Sequence, residues 1–284
     1  MSESYDHPLN EYFIRSSHNS YSLAWADVTP QPGSLAKFLD NGFRAIEIDA
    51  YENADEQLMV AHHKISIGDK VTLTQMLDEI HDWQVEHPNH LPIIVNLDMT
   101  KRPWLRSVRF LLAKLIGRGR DSIGTKVARE ITQLFEEKKI FLRSFVGRGR
   151  KGVVTWPTVE EMRGTILFGI HQKFHKKINS DLKNYLIEDD ARFWSNYNFK
   201  DIKDDPEALL PKIDEDHRLN KLIRVYPEFD PIKMPFERTI KSDFNALIDL
   251  GIQIIGMDGL EDGEHFFGDK SYIHNSKYEP GEMS

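Results

Sequence analysis

Apolar runs that end in His, Asn, Asp or Glu are the feature that most restricts how this chain can fold. These groups are His18 and Asn19 after Tyr12–Ile14, Glu47 and Asp49 within Phe43–Asp49, His62 after Leu58–Ala61, and Asp98 at the end of Ile93–Asp98. Short runs of aromatic and β-branched residues are typical of strands. Parallel barrels collect their functional residues at the carboxyl ends of their strands. The pattern therefore predicts that these polar groups meet at one end of a sheet.

Helical patterns lie between the predicted strands. They occupy Leu35–Leu39, Leu73–Trp83 and Val127–Glu137. Alternation of strands and helices favours a parallel sheet covered by helices. The chain of 284 residues is long enough for one such barrel. We therefore predict the α/β class and a distorted or incomplete (β/α)8 TIM barrel.

Oxygen ligands dominate the predicted functional end. Side chains alternate along a strand, so Glu47 and Asp49 share one face. Together with Asn19 and Asp98 they offer one amide and three carboxylates, the ligand type that calcium prefers at ~2.3–2.6 Å. Without a cation, three converging carboxylates would repel one another. Zinc is less suitable, because no thiolate or closely spaced His pair accompanies the set.

Several motifs in this order resemble one enzyme family. The stretch Tyr12-Phe-Ile-Arg-Ser-Ser-His-Asn-Ser-Tyr21 is similar to the opening motif of the phosphoinositide-specific phospholipase C catalytic domain, roughly Tyr-Phe-Ile-x-Ser-Ser-His-Asn-Thr-Tyr. Further resemblances lie at Arg44–Asp49, Val60–His62, Pro92–Asp98, Met162–Leu167 and Leu222–Pro227. The resemblance spans roughly residues 12–258, and several ordered motifs are far more specific than one.

The resemblance implies calcium-assisted cleavage of inositol phospholipids. In this interpretation the inositol 2-hydroxyl displaces diacylglycerol and leaves a 1,2-cyclic phosphate, which can be opened later to inositol 1-phosphate. The implied roles are phosphorane stabilisation by His18, protonation of the leaving group by His62, calcium binding by Asn19, Glu47, Asp49 and Asp98, base catalysis by Glu47 or Asp98, and inositol contact by Arg224 and Tyr226. Such a reaction needs charge neutralisation, an aligned nucleophile and a proton donor.

Two departures from the family pattern, and one residue that matches its calcium-dependent branch, refine the implied substrate and metal. Asp98 is one methylene shorter than the usual Glu. Gly169 and His171 stand where eukaryotic members carry two lysines for the inositol phosphates, so unsubstituted phosphatidylinositol is the expected lipid. Asp49 occupies a position at which the metal-free bacterial branch has arginine, so the chain resembles the calcium-dependent branch.

The chain is expected to form a single catalytic barrel over residues 1–284. We expect a first half at 12–173, a joining region at 174–220 that hides one weak strand, a second half at 221–258, and a loop or covering extension at 259–284. The chain has no cysteine, which excludes disulfides and thiol chemistry. Neither a signal-like start nor an uninterrupted apolar run of 18 residues is present. We expect a soluble protein peripheral to the membrane, secreted or cytoplasmic.

Charge and exposed apolar residues bear on partners. Residues 101–151 carry 15 Lys or Arg against 4 Asp or Glu in a chain of net charge −8. The apolar stripe in 101–118 favours packing against the sheet over a membrane-surface helix. Leu23, Trp25 and Phe229 either form a lipid-contacting rim or cap the barrel. We expect transient binding to phosphatidylinositol membranes, no obligate protein partner, and no nucleic acid, since no recognised module surrounds the basic residues.

Two other functions remain compatible with the sequence. One is a different metal-dependent barrel phosphodiesterase, similar to glycerophosphodiesterase or sphingomyelinase D, because these enzymes also combine His with Glu-x-Asp. The other is a non-catalytic phosphoinositide-binding module. The pair Arg224-Val-Tyr226, together with His18-Asn19, favours an inositol lipid over the first. Retention of both histidines and all oxygen ligands argues against the second.

Overall fold

A nearly closed barrel of eight parallel strands forms the body of the protein. The computed structural model describes residues 5–23, 29–53, 55–61, 71–100, 121–189, 192–226, 241–257 and 264–275. The barrel strands are β1 (Tyr12–Ser17), β2 (Ala45–Glu52), β4 (Ile93–Thr100), β7 (Ile166–His171), β8 (Ile187–Asp189), β9 (Trp194–Asn198), β10 (Leu222–Tyr226) and β11 (Ile254–Met257). Their order is β8-β7-β4-β2-β1-β11-β10-β9. Among the described residues no ladder joins β8 to β9, so the barrel has a seam there.

Four short strands lie outside this order. They are β3 (Leu58–Val60), antiparallel to β2, β12 (Tyr272–His274), antiparallel to β1, and the hairpin of β5 (Gly147–Arg148) and β6 (Val154–Thr155). The run before His62 is therefore a strand, as predicted, but it is not one of the parallel strands of the barrel. Its three residues reverse direction beside β2 and extend the sheet at that point.

Helices cover the outside of the sheet. They span Ser34–Asp40, Leu73–Glu86, Ile123–Leu134, Gln172–His175, Phe199–Asp204, Pro206–Arg218, Lys241–Asp249 and Glu264–Phe267. Thr72 and Gln75 form a reciprocal capping box at one start, and Ser122 accepts from the Thr125 N–H at 3.0 Å at another. Such caps satisfy N–H groups that have no partner within the helix. The described helices include none long and apolar enough to cross a membrane.

The inward face of the strands changes from apolar at the base to polar at the mouth. Reading upward, the inward residues are Ala45, Glu47 and Asp49; Ile94, Asn96 and Asp98; Leu167, Gly169 and His171; Trp194, Asn196 and Asn198; and Leu222, Arg224 and Tyr226. The lower apolar members pack together in one buried cluster. Outward residues such as Ile46, Ile48 and Leu97 pack against the helices in another. The base is a packed core, which leaves the mouth for chemistry.

The predicted barrel is confirmed. The joining region at 174–220 contains more regular structure than the one weak strand expected there. It holds two barrel strands, β8 and β9, and two helices, Phe199–Asp204 and Pro206–Arg218. Strand β8 has only three residues and β9 reads Trp-Ser-Asn-Tyr-Asn, so neither shows the apolar run used to recognise strands. Part of the 259–284 extension is also sheet, because β12 pairs with β1.

Candidate active site

Two neighbouring strands bring three carboxylates together at the mouth. Strand β2 pairs with β4 so that Glu47 lies opposite Asn96 and Asp49 opposite Asp98. Ligand oxygens of Glu47, Asp49 and Asp98 all lie within 4.8 Å of one another. Glu47 and Asp49 are buried, whereas Asp98 is exposed. The alternation inferred from the sequence thus places these groups on one face as predicted.

A tight turn after β1 places Asn19 beside these carboxylates. The His18 N–H donates to the Met257 carbonyl at 2.8 Å, which ties the turn to β11. Asn19 then has a left-handed backbone with φ of 51°, a conformation that Asn tolerates better than most residues. Its N–H donates to Glu47 Oε2 at 3.2 Å. The Ser20 hydroxyl accepts from the Glu47 N–H at 2.8 Å, so the turn and β2 hold one another in place.

Tyr21 connects two of the candidate ligands, and sequence reasoning gave it no role. Its hydroxyl donates to Asp49 Oδ2 at 2.9 Å and lies equally close to Asn19 Oδ1. Burial, and then the charge of Asp49, raise the pKa of Tyr21, so the phenol keeps its proton. The available signal was its place two residues after Asn19, within the same turn.

Glu47 forms the centre of a charged cluster with Arg224 and His18. Arg224 Nη2 lies 2.9 Å from Glu47 Oε1, and His18 Nε2 lies 3.5 Å from Glu47 Oε2. Burial alone would raise the pKa of Glu47, but Arg224, His18 and the Asn19 N–H outweigh burial and lower it. The Arg224 guanidinium carbon also lies 5.5 Å from the centre of the Tyr226 ring. The structure therefore brings the predicted inositol-contacting pair to the carboxylates.

Asp98 is the carboxylate that shows the accumulated negative charge. Desolvation by the surrounding protein, followed by the charges of Asp49 and Glu47, raises the pKa of Asp98 to about 6. Arg224 and Lys173 act in the opposite direction. Lys173, which follows β7, is a mouth residue that sequence reasoning missed. Carboxylates held this close, with an amide oxygen beside them, suit a hard divalent cation such as calcium.

The lysine positions of the family pattern have a structural explanation on β7. A Cβ atom placed on Gly169 would lie 2.9 Å from Cζ3 of the Trp194 ring, closer than real contacts allow. Trp194 is fully buried. His171 Nδ1 accepts from the Lys173 N–H at 3.1 Å and so caps the short helix that follows. The Trp194 ring therefore fills the space that a side chain at 169 would need.

Some predicted site residues fall outside the described residues. These are His62, its neighbour His63, Trp25, Phe229 and the segment 101–118. Leu23 is described, and it is half-buried and packs against the core between sheet and helices. This contact favours the capping interpretation of Leu23 over a lipid-facing rim.

The fold and the cluster at its mouth define a class of protein: a parallel β/α barrel with a cluster of carboxylates at its carboxyl end. The chain matches the family model for the phosphatidylinositol-specific phospholipase C X domain over residues 5–110. It also matches the model for phosphoinositide phospholipase C, Ca²⁺-dependent, over residues 63–224, which is more than half of its length. The chain therefore belongs to the calcium-dependent phosphoinositide phospholipase C family, and the predicted resemblance is confirmed.

Individual relatives agree with this assignment. The chain is 26% identical over 145 residues to the 1-phosphatidylinositol 4,5-bisphosphate phosphodiesterase zeta-1 of Macaca fascicularis, covering 47% of this chain and 22% of that protein. It thus spans about a fifth of the length of that relative. A calcium-dependent phosphoinositol-specific phospholipase C from Pseudomonas sp shares the fold with a TM-score of 0.63 at 16% identity, covering 95% of this chain and 96% of that one. PLC21 of S. officinalis gives 0.65 at 14% identity, covering 97% and 38%.

Proposed function

We propose that this chain is a phosphatidylinositol-specific phospholipase C that releases diacylglycerol and inositol 1,2-cyclic phosphate. The observation that carries the proposal is the convergence of Glu47, Asp49 and Asp98 with His18 and Arg224 at one barrel mouth. Membership of the calcium-dependent family supports the reaction type. Any later opening of the cyclic product to inositol 1-phosphate would use the same groups in reverse order.

Calcium would be held by Asn19, Glu47, Asp49 and Asp98. When bound, the ion neutralises charge on the phosphate and lowers the pKa of a coordinated hydroxyl. Tyr21 orients this set, because its hydroxyl contacts both Asn19 and Asp49. The fixed pairing of β2 and β4 keeps Asp49 and Asp98 side by side before any ligand arrives. Because of this pre-organisation, the unfavourable free energy of bringing like charges together is incurred on folding and not on calcium binding.

The proposed bond changes use the groups at the mouth together with His62, whose role comes from the family resemblance. The 2-hydroxyl oxygen of inositol attacks phosphorus, its proton passes to Glu47 or Asp98, and the bond from phosphorus to the diacylglycerol oxygen breaks. His62 donates the proton that the departing oxygen needs. His18 faces the carboxylate cluster, 3.5 Å from Glu47, and donates a hydrogen bond to the charged phosphorane. Phosphoryl transfer of this kind depends mainly on positioning and electrostatics.

Arg224 and Tyr226 would bind the inositol ring. Arg224 is buried, and Tyr226 lies further toward the mouth on the same strand face. A guanidinium offers several N–H donors in a fixed plane, which suits adjacent hydroxyls of a sugar-like ring. The Tyr226 ring supplies an apolar surface beside those donors. This pairing favours inositol over choline or glycerol headgroups.

Unsubstituted phosphatidylinositol is the proposed lipid, in membranes that the protein binds transiently. A lysine at 169 would displace the Trp194 ring, and the His171 imidazole is engaged in capping a helix. The two cations that the family pattern uses for ring phosphates are thus absent from positions 169 and 171. We expect turnover to fall from phosphatidylinositol to its 4-phosphate and 4,5-bisphosphate.

The decisive experiment is phosphorus NMR of phosphatidylinositol vesicles with the protein, run with calcium and with a chelator. We expect inositol 1,2-cyclic phosphate only with calcium. His18→Ala and His62→Ala should each reduce its formation by about 10²–10⁴-fold, the usual contribution of a positioned acid or base. Turnover by His62→Ala as fast as by the parent would contradict its assignment as the acid.

The same vesicles separate the alternatives. Release of choline or glycerol phosphate from other lipids, without an inositol product, would indicate a different barrel phosphodiesterase. Binding to the vesicles without any phosphorus product would indicate a non-catalytic phosphoinositide module. Arg224→Lys provides a matched control for ring recognition, since it keeps the charge but loses the fork of donors.

A further inference from the structure

Two histidines and a glutamate converge at the base of the barrel, at the end opposite the carboxylates. His7 Nδ1 lies 3.1 Å and His274 Nε2 lies 3.7 Å from the same oxygen, Glu11 Oε2. Ligand atoms of the three side chains all lie within 4.8 Å of one another. Glu11 precedes β1, and the six residues of this strand separate Glu11 from His18 by about 20 Å. The cluster is therefore remote from the proposed active site.

The two imidazoles are arranged side by side. Their ring centres lie 3.9 Å apart with planes inclined by 27°, and both rings contact the Tyr12 ring. Their side chains are 50% and 37% exposed, whereas that of Glu11 is 12% exposed. A single surface histidine beside a carboxylate is ordinary pairing. Two stacked histidines directed at one nearly buried carboxylate oxygen form an open, three-donor cradle.

The backbone fixes all three donors. The Val159 N–H donates to the His7 carbonyl at 3.1 Å, and the Asn275 N–H donates to the Glu11 carbonyl at 2.8 Å. His274 lies directly opposite Tyr12 in the pairing of β12 with β1. The donors thus come from two segments, one before β1 and the other in β12, whose relative positions depend on main-chain hydrogen bonds, so little ordering would be needed to bind a ligand.

We propose that His7, Glu11 and His274 form a second metal site, which takes a borderline transition-metal ion such as Zn²⁺. Imidazole nitrogens with one carboxylate oxygen suit Zn²⁺ or Co²⁺, whereas calcium prefers oxygen ligands alone. At Zn–N distances of ~2.0–2.1 Å, tetrahedral ligands lie about 3.3 Å apart. The separations from Glu11 Oε2, 3.1 and 3.7 Å, already approach this value. Water completes the coordination on the exposed side.

A metal bound at this site would cross-link the segment before the first barrel strand to the strand that follows the last one. His7 and Glu11 precede the first strand, and His274 belongs to β12, which follows the last barrel strand. A metal that binds only the folded arrangement stabilises it in proportion to its concentration. Zinc should therefore raise the melting temperature of the protein without taking part in phosphodiester cleavage.

The test uses the full chain, stripped of metal and then kept in excess calcium so that the carboxylate site at the mouth is filled. Zn²⁺ is titrated by calorimetry, and Co²⁺ is followed by the visible spectrum of the bound ion. We expect one zinc per chain, a Co²⁺ spectrum with nitrogen ligation, and affinity about 100-fold lower in His274→Ala, in line with the large effects of altering metal surroundings.

His81→Ala is the matched control, because His81 Nδ1 lies 3.2 Å from Asp82 Oδ1 in a histidine–carboxylate pair elsewhere on the surface. It should bind zinc as the parent does. His7→Ala provides a second test if His274→Ala disturbs β12, which melting in chelator would reveal. Equal zinc affinity in the parent and both site variants, or no saturable binding at all, would overturn the proposal.

Discussion

Two sides of the barrel are built differently. Strands β1, β2 and β4, here called the metal half, are neighbours in the sheet and, with the turn after β1, supply all four proposed calcium ligands. Strands β7 to β10, the seam half, supply the ring-contacting residues and surround the seam between β8 and β9. Three carboxylates that share one ion need a fixed spacing, and the uninterrupted pairing of β2 with β4 provides it. Recognition of a hydroxyl-rich ring tolerates a less continuous support.

The largest effect is expected where the two halves are joined by the Arg224–Glu47 pair. Replacing Arg224 by Leu leaves a buried carboxylate without its nearest cation, which costs about 3 kcal/mol in free energy of unfolding when calcium is chelated. Urea unfolding with and without calcium measures this loss, and calcium should restore part of it. The double variant Arg224→Leu/Glu47→Leu should recover most of the stability; a loss as large as in the single variant would show that packing, not charge, is responsible.

The next effect compares the loss of one carboxylate in each half, measured as calcium affinity. Asp49→Asn in the metal half should reduce calcium affinity about 100-fold, because one charged ligand is lost. Glu188→Gln in the seam half is the matched change, since Glu188 pairs with Arg143 at 2.7 Å. Calorimetric titration with calcium should leave this control unchanged. Similar losses in both variants would erase the proposed division between the halves.

A smaller effect is expected from Tyr21→Phe. The change removes one hydroxyl that donates to Asp49 and leaves the ring in place. Loss of a positioning hydrogen bond should lower calcium affinity by about 10-fold. The calcium dependence of turnover should shift in parallel, while turnover at saturating calcium stays close to that of the parent. A reduced saturating rate with unchanged calcium affinity would instead place the hydroxyl in the reaction itself.

The smallest effect concerns the pH dependence of stability. Because the pKa of Asp98 is raised to about 6, the folded protein binds its proton more tightly than the unfolded chain does. Without calcium, stability should therefore fall as pH rises from about 4 to about 6. Asp98→Asn should remove this slope and, after allowance for solvent screening, raise the melting temperature at neutral pH by about 2 °C. Calcium should abolish the difference by compensating the charge.

The strands of the metal half could be predicted from the sequence, whereas β8 and β9 of the seam half could not. Alternation in Ala-Ile-Glu-Ile-Asp specifies which side chains share a face, and the observed register of β2 with β4 then places Asp49 opposite Asp98. Strands β8 and β9 gave no such signal, because a three-residue strand and a polar one derive their structure from neighbours. The contact between Trp194 and Gly169 joins residues distant in sequence, so only the fold reveals it.

Asn19 carries two independent sequence constraints at one position. Its backbone angle of 51° excludes most β-branched and bulky residues, while its side chain is a proposed oxygen ligand. Glycine would meet the first constraint but not the second, and glutamine the second more readily than the first. Aspartate is the substitution that comes nearest to meeting both, at the cost of a fourth negative charge. Fewer amino acids are therefore tolerated at position 19 than backbone geometry or ligand chemistry alone would allow.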